Sequence, residues 1–126
     1  QAMGDVARRL KNLAKDLGIW IIALSQLNRA DGEPNINRLR DSGQIAEAAD
    51  VVMLVYRPEK NGVARYSAPF ENVDVKDTAL VDIAKGRNIG LAKEKVKFNA
   101  NLSYFSDFEE GDPSAPYTEK KEQLPF

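Results

Sequence analysis

The chain has 126 residues, enough for one small domain or for part of a larger one. Hydrophobic residues make up 43% and charged residues 29%, an ordinary soluble balance, and the net charge of −1 argues against wholesale basic nucleic-acid binding, leaving only local patches for that role. With no cysteine and no histidine, disulfides, thiolate nucleophiles, histidine bases and the usual zinc sites are excluded. No apolar run approaches the ~20 residues of a membrane span, and no signal-peptide pattern is visible.

Residues 2 to 17 are predicted to form an amphipathic helix. Met3, Val6, Leu10, Leu13 and Leu17 recur at spacings of three and four, while Arg8, Arg9, Lys11, Lys15 and Asp16 take the other face. Gly18 follows where a helix end needs a left-handed residue. No clear N-cap precedes the helix, so a natural protein extending upstream is expected.

Ile19 to Leu24 is a short, continuous apolar run rich in β-branched residues, which predicts a strand buried on both faces. It gives way abruptly to Ser25, Gln26, Asn28 and Arg29. Ligands of open α/β sheets sit beyond the carboxyl ends of strands, so this polar cluster is a candidate site edge. The amide of Gln26 both donates and accepts, which suits an attacking water or a phosphate. A plain loop start fits the pattern at least as well.

Residues 30 to 38, containing Asp31-Gly32-Glu33-Pro34-Asn35, have loop chemistry. Asp41 or Ser42 then caps a short helix, with Gln44 in a capping-box-like position and Ile45, Ala48 and Ala49 as its apolar face. Val51 to Tyr56 reads as a second buried strand, stopped by Pro58. The succession of strand, loop, helix and strand predicts a right-handed crossover in a mostly parallel sheet.

Residues 58 to 78 are polar and without a clear period, a long excursion with room for a short hairpin. Ala79 to Ala84 is predicted as a third strand and Lys85 to Gly90 as a turn-rich connection. Ala92 to Phe98 alternates, with Ala92, Glu94, Val96 and Phe98 on one face and Lys93, Lys95 and Lys97 on the other, as a half-exposed antiparallel strand does. Leu102 to Phe105 is the last predicted strand. Gly, Pro and charge dominate from Glu109 onward, which predicts a disordered tail.

Three clusters have the residue types for phosphate or nucleic-acid chemistry. Lys85-Gly86-Arg87 places two cations on one side of an extended strand end, where a planar guanidinium can grip two phosphate oxygens. Arg38-Leu39-Arg40-Asp41-Ser42-Gly43 precedes a helix N-terminus, whose backbone N–H groups attract phosphate, and Gly43 permits close backbone approach. The Lys93, Lys95 and Lys97 stripe suits a nucleic-acid backbone. For each cluster a charged surface turn, cap or strand face is the simpler reading of the spacing. No Gly-x-x-x-x-Gly-Lys-Ser/Thr loop occurs, and no apolar strand ends in an acid placed to hold Mg²⁺.

Taken in order, Ala23-Leu24-Ser25-Gln26-Leu27-Asn28-Arg29, Leu39-Arg40-Asp41-Ser42-Gly43, Ala49-Asp50-Val51-Val52-Met53, Tyr56-Arg57, Lys85-Gly86-Arg87-Asn88-Ile89-Gly90 and Phe98-Asn99 form a series. It resembles the C-terminal, RecA-like motor domain of DnaB-type replicative helicases over residues 1 to 108, with residues 109 to 126 outside it. The resemblance implies an α/β fold, the C-terminal portion of a RecA-like sheet in which parallel strands are followed by antiparallel ones. It also implies an ATP-driven, Mg²⁺-dependent homohexamer that encircles single-stranded DNA in the cytoplasm.

By the same resemblance Gln26 matches the γ-phosphate-sensing glutamine. Arg87 matches an arginine finger that reaches ATP on the neighbouring subunit, and Lys85 the lysine accompanying it. Arg40, Asp41 and Gly43 match the loop that grips DNA in the channel. The family often has Glu where this chain has Asp41, and residues 58 to 78 look longer than the family's pattern. The phosphate-binding loop and the Mg²⁺-holding acid are expected upstream, and the chain alone is expected to retain no nucleotide and to be inactive. The alternatives are a non-catalytic DNA-binding or assembly module, and a RecA-like ATPase of recombination or circadian type.

Overall fold

The computed structural model describes residues 2–28, 32–39 and 42–109. Arg40 and Asp41, and the predicted tail beyond Glu109, lie outside the described residues. Helix α1 spans Ala2–Leu17 and ends on Gly18 at φ 61°, the left-handed residue expected there. Its face of Met3, Val6, Leu13 and Leu17 forms as the spacing predicts, yet those side chains stay largely exposed. Helix α2 spans Ser42–Ala48 and packs against α1. The two approach closely at Gly4, where a Cβ would stand 1.5 Å from Gln44 Oε1 and 2.7 Å from its Cβ. Gln44 is pressed there, and its Oε1 is buried without a hydrogen-bond partner among the described residues; the Asp41 half of the predicted capping box lies outside them.

Strands β1 (Val51–Tyr56), β2 (Thr78–Gly86), β3 (Ala92–Asn99) and β4 (Tyr104–Ser106) form a sheet in the order β1-β2-β3-β4, with every pairing antiparallel. The last strand starts two residues later than the Leu102 expected from sequence. The predicted parallel crossover is not among these pairings. Ile19 to Leu24 follows α1 as an unpaired segment, and Trp20, Ile22 and Leu24 are 98%, 89% and 97% exposed. The expectation of a strand buried on both faces is therefore corrected. Hydrophobic sequence specifies burial only when other strands stand on either side, and among the described residues none pairs with this segment. For the same reason β1 is an edge strand buried on one face only: Val52, Leu54 and Tyr56 are buried and Val51, Met53 and Val55 exposed.

Two apolar clusters hold the sheet. Leu39, Val52 and Leu54 pack with Leu27, Ile36, Ile45, Ala49 and Ala84, which fixes α2 and the turn before it on one face of β1. Tyr56, Tyr66, Val73 and Leu80 pack with Phe70 and Val75. This second cluster corrects the view of residues 58 to 78 as a polar excursion. Their apolar residues are widely spaced and show no period, because a folded-over loop meets the core at isolated points. Burying a side chain such as Leu80 contributes about 1.5–3 kcal/mol. The hydroxyls of Tyr66 and Thr78 lie 2.9 Å apart, and Thr78 Oγ1 donates to the Asp74 carbonyl at 2.7 Å. With the threonine proton so engaged, Tyr66 is the donor.

The lysines of β3 sit on neighbours. Lys93 bonds Glu33 at 2.8 Å, Lys95 lies over Phe70 and Lys97 over Phe108. Such stems cover apolar surface while their charges reach water. Arg57 stacks on Phe98, its guanidinium carbon 3.8 Å from the ring centroid, so Tyr56-Arg57 and Phe98-Asn99 meet in space.

Candidate functional site

The junction between α2 and β1 collects the cations that the sequence places far apart. β2 reaches it carrying Lys85-Gly86-Arg87. The register between β1 and β2 shifts between Val52 and Met53, so Ala84 is the extra residue of a bulge beside this end. Gly86, the last residue of β2, is crowded by the turn that follows: a Cβ there would lie 2.5 Å from Ile89 Cγ1 and 2.6 Å from the Gly90 carbonyl oxygen. A strand end fixed by a bulge and a crowded glycine positions its neighbours well.

Lys85 Nζ donates to the Ala46 carbonyl at 2.5 Å and to Glu47 at 3.2 Å. These are carbonyls near the C-terminal end of α2, where unpaired acceptors and the helix dipole favour a cation. Arg87 donates its backbone N–H to the Asp50 carbonyl at 2.9 Å, and its guanidinium meets the Asp50 carboxylate at 3.3 Å. The Arg87 side chain is 51% exposed. Lys11 of α1 reaches the same carboxylate oxygen at 2.5 Å. The hydrogen bond from Lys11, opposed by desolvation and aided by the charges of Lys11, Arg87 and Lys85, holds the Asp50 carboxyl below its ordinary range. Asp50 is thus ionised at neutral pH between two cations.

Lys85 and Arg87 therefore converge on residues 46 to 50. Gln26 stands elsewhere, exposed, one residue before Leu27, which pairs with Leu39 in an isolated antiparallel bridge. Asn28 N–H donates to the Arg38 carbonyl at 2.8 Å, and the Arg38 guanidinium returns to the Asn28 and Gly32 carbonyls. The glutamine is so tied to the stretch that leads into the Leu39–Gly43 motif, and among the described residues it shares no hydrogen bond with Lys85 or Arg87. Gly43 is exposed, with nothing within 4 Å of where a Cβ would stand, so packing inside the chain does not require a glycine there. Among the described residues no three acidic side chains gather to hold a metal, and no helix is long and apolar enough to cross a membrane.

Asp50 stood in the sequence only as part of the Ala49-Asp50-Val51-Val52-Met53 motif and Lys11 only on the polar face of the first helix, neither with a role at this site. Asp50 sits directly before an apolar run, a faint signal, but Lys11 lies 39 residues away and no spacing rule links the two.

The family described as DnaB-like helicase C terminal domain matches residues 1–107. The replicative DNA helicase DnaB of Buchnera aphidicola subsp. Baizongia pistaciae is 38% identical over 113 residues, covering 86% of this chain and 23% of that protein. The DnaB of Haemophilus influenzae is 35% identical over 113 residues, covering 86% and 22%. The chain spans about a quarter of the length of these relatives. Among solved structures, a DnaB-like replicative helicase studied with its interactions with primase superposes with TM-score 0.67 and 29% identity, over 84% of this chain and 25% of that one. A second solved structure, described as an ATPase domain, superposes with TM-score 0.68 and 31% identity, over 84% and 36%.

Proposed function

Because the chain belongs to the DnaB-like helicase C-terminal domain family, we propose that it is part of the motor of an ATP-dependent replicative DNA helicase. The observation that carries this is the family match across residues 1–107. In the full-length protein, six copies form a ring on single-stranded DNA in the cytoplasm. The phosphate-binding loop and the acid that holds Mg²⁺ belong to the remainder of that protein, and the present chain alone does not turn over ATP. The exposed Ile19–Leu24 segment becomes a parallel strand once strands from that remainder stand beside it, which completes a RecA-like sheet and covers the open edge of β1.

Arg87 fits the terminal phosphate of ATP bound to a neighbouring subunit. Its guanidinium is half exposed, anchored through one nitrogen, and planar, so its other nitrogens suit two phosphate oxygens. ATP and Mg²⁺ when bound supply the phosphoryl transfer; Arg87 stabilises charge on the transferred group, and Gln26 orients the attacking water. Lys85 secures the end of α2 beside Arg87 and reaches the nucleotide by releasing the Ala46 carbonyl. Gly43, with Arg40 and Asp41, grips the DNA backbone.

The test is Arg87→Ala in the full-length protein. Fingers of this kind are worth about 10³ to 10⁵ in turnover, so hydrolysis should fall steeply while nucleotide binding persists. Mixing this variant with one defective in the phosphate-binding loop should restore partial activity, since some interfaces then pair an intact loop with an intact finger. Normal hydrolysis by Arg87→Ala overturns the assignment.

A further inference from the structure

We infer that Asp50 is the positioning residue of Arg87, holding it ready for the phosphates of a nucleotide on a neighbouring copy. This rests on the reading of Arg87 given above. Two groups of one residue hold the arginine: the Asp50 carbonyl accepts a hydrogen bond from its backbone N–H at 2.9 Å, and the Asp50 carboxylate forms an ion pair with its guanidinium at 3.3 Å. Asp50 is itself fixed, because Lys11 on α1 holds the same carboxylate oxygen at 2.5 Å. Helix α1, the start of β1 and the end of β2 thus meet through one carboxylate. Gly86, crowded by Ile89 and Gly90, removes slack from the strand end just before the arginine.

An arginine side chain left free in solvent samples many rotamers. One anchored through a single nitrogen loses most of that freedom and keeps its remaining N–H donors for an incoming oxyanion. Among the described residues those donors have no other acceptor, and more than half of the side chain stays accessible. Asp50 carries charge at neutral pH, as an anchor for a cation must. The arrangement therefore places the guanidinium before the partner's nucleotide arrives, and the ordering cost is met by folding rather than at the moment of reaction.

The experiment measures kcat, KM for ATP and thermal midpoint for full-length Asp50→Asn, Asp50→Glu, Lys11→Met and Arg87→Ala. Asp50→Asn keeps the size and the backbone carbonyl and removes the charge. It should lower kcat about tenfold or more with KM little changed, since a small misplacement of a positioned group costs up to about 10²-fold. Asp50→Glu should recover part of the loss. Lys11→Met loosens Asp50 but leaves its carboxylate beside Arg87, so it should lower kcat by clearly less than Asp50→Asn while lowering the thermal midpoint as Asp50→Asn does. Impaired Arg87→Ala beside Asp50→Asn with unchanged kcat overturns the positioning role and leaves the finger standing. A fall in kcat for Lys11→Met as deep as for Asp50→Asn also overturns it, because the loss then follows from loosening α1. Normal turnover in Arg87→Ala removes the finger itself and the present inference with it.

Discussion

The ammonium of Lys85 closes the end of a helix that precedes it by 38 residues: Nζ donates to the Ala46 carbonyl at 2.5 Å and to Glu47 at 3.2 Å. α2 has seven residues, too few to be stable alone, so this contact and its apolar face hold it. Lys85→Met keeps the stem and deletes both hydrogen bonds. Urea unfolding of the chain should show a loss of about 1–2 kcal/mol, the low end for charge-assisted bonds because the site is partly solvated. An unchanged midpoint would mean that the ammonium contributes nothing to the fold and is free for a phosphate.

The Tyr66–Thr78 pair offers an asymmetric comparison. Tyr66→Phe removes one donor, while Thr78 keeps its bond to Asp74. The expected loss is about 0.5–1.5 kcal/mol. Thr78→Val leaves the buried Tyr66 hydroxyl without a partner and should cost more, about 1–3 kcal/mol. Equal losses, read from denaturation midpoints, would contradict the assigned direction of donation.

Gly4 sets the spacing of α1 and α2. Alanine normally favours a helix over glycine by about 1 kcal/mol, yet here its Cβ would lie 2.7 Å from that of Gln44. Overpacking of this kind costs about 1–3 kcal/mol, so Gly4→Ala should be neutral to destabilising rather than stabilising. Adding Gln44→Gly to that variant should restore a benefit beyond the effect of Gln44→Gly alone. A clear rise in thermal midpoint for Gly4→Ala by itself would rule out close helix contact.

Trp20 is the chain's single tryptophan and is 98% exposed. Its fluorescence in the isolated chain should have the red-shifted emission and ready acrylamide quenching of indole in water. In a full-length protein with Trp20 as its sole tryptophan, emission should shift to the blue and quenching should fall, because the proposed neighbouring strands cover the segment. Equal quenching in the two would show that Ile19–Leu24 remains uncovered.

Several features could be read without coordinates because they depend on neighbours close in sequence. The spacing of Met3, Val6, Leu10, Leu13 and Leu17 specifies a helix, and Gly18 its end. Val51–Tyr56 is a strand by its β-branched run, and Ala92–Phe98 by its alternation. The ordered motifs from Ser25-Gln26 to Phe98-Asn99 identified the family. The partners of these elements could not be read the same way. A continuous apolar run states that it needs cover but not whether cover is at hand, which is why Ile19–Leu24 lies exposed and Val51–Tyr56 is buried on one face only. Loop residues 58 to 78 hide Tyr66 and Val73 from any periodic analysis, since burial there follows from the path of the chain. The cations of Lys85 and Arg87 were visible, but their anchors were not: tertiary structure alone brings Ala46, Asp50 and Lys11 to them, because an ion pair depends on distance in space, which local sequence does not encode.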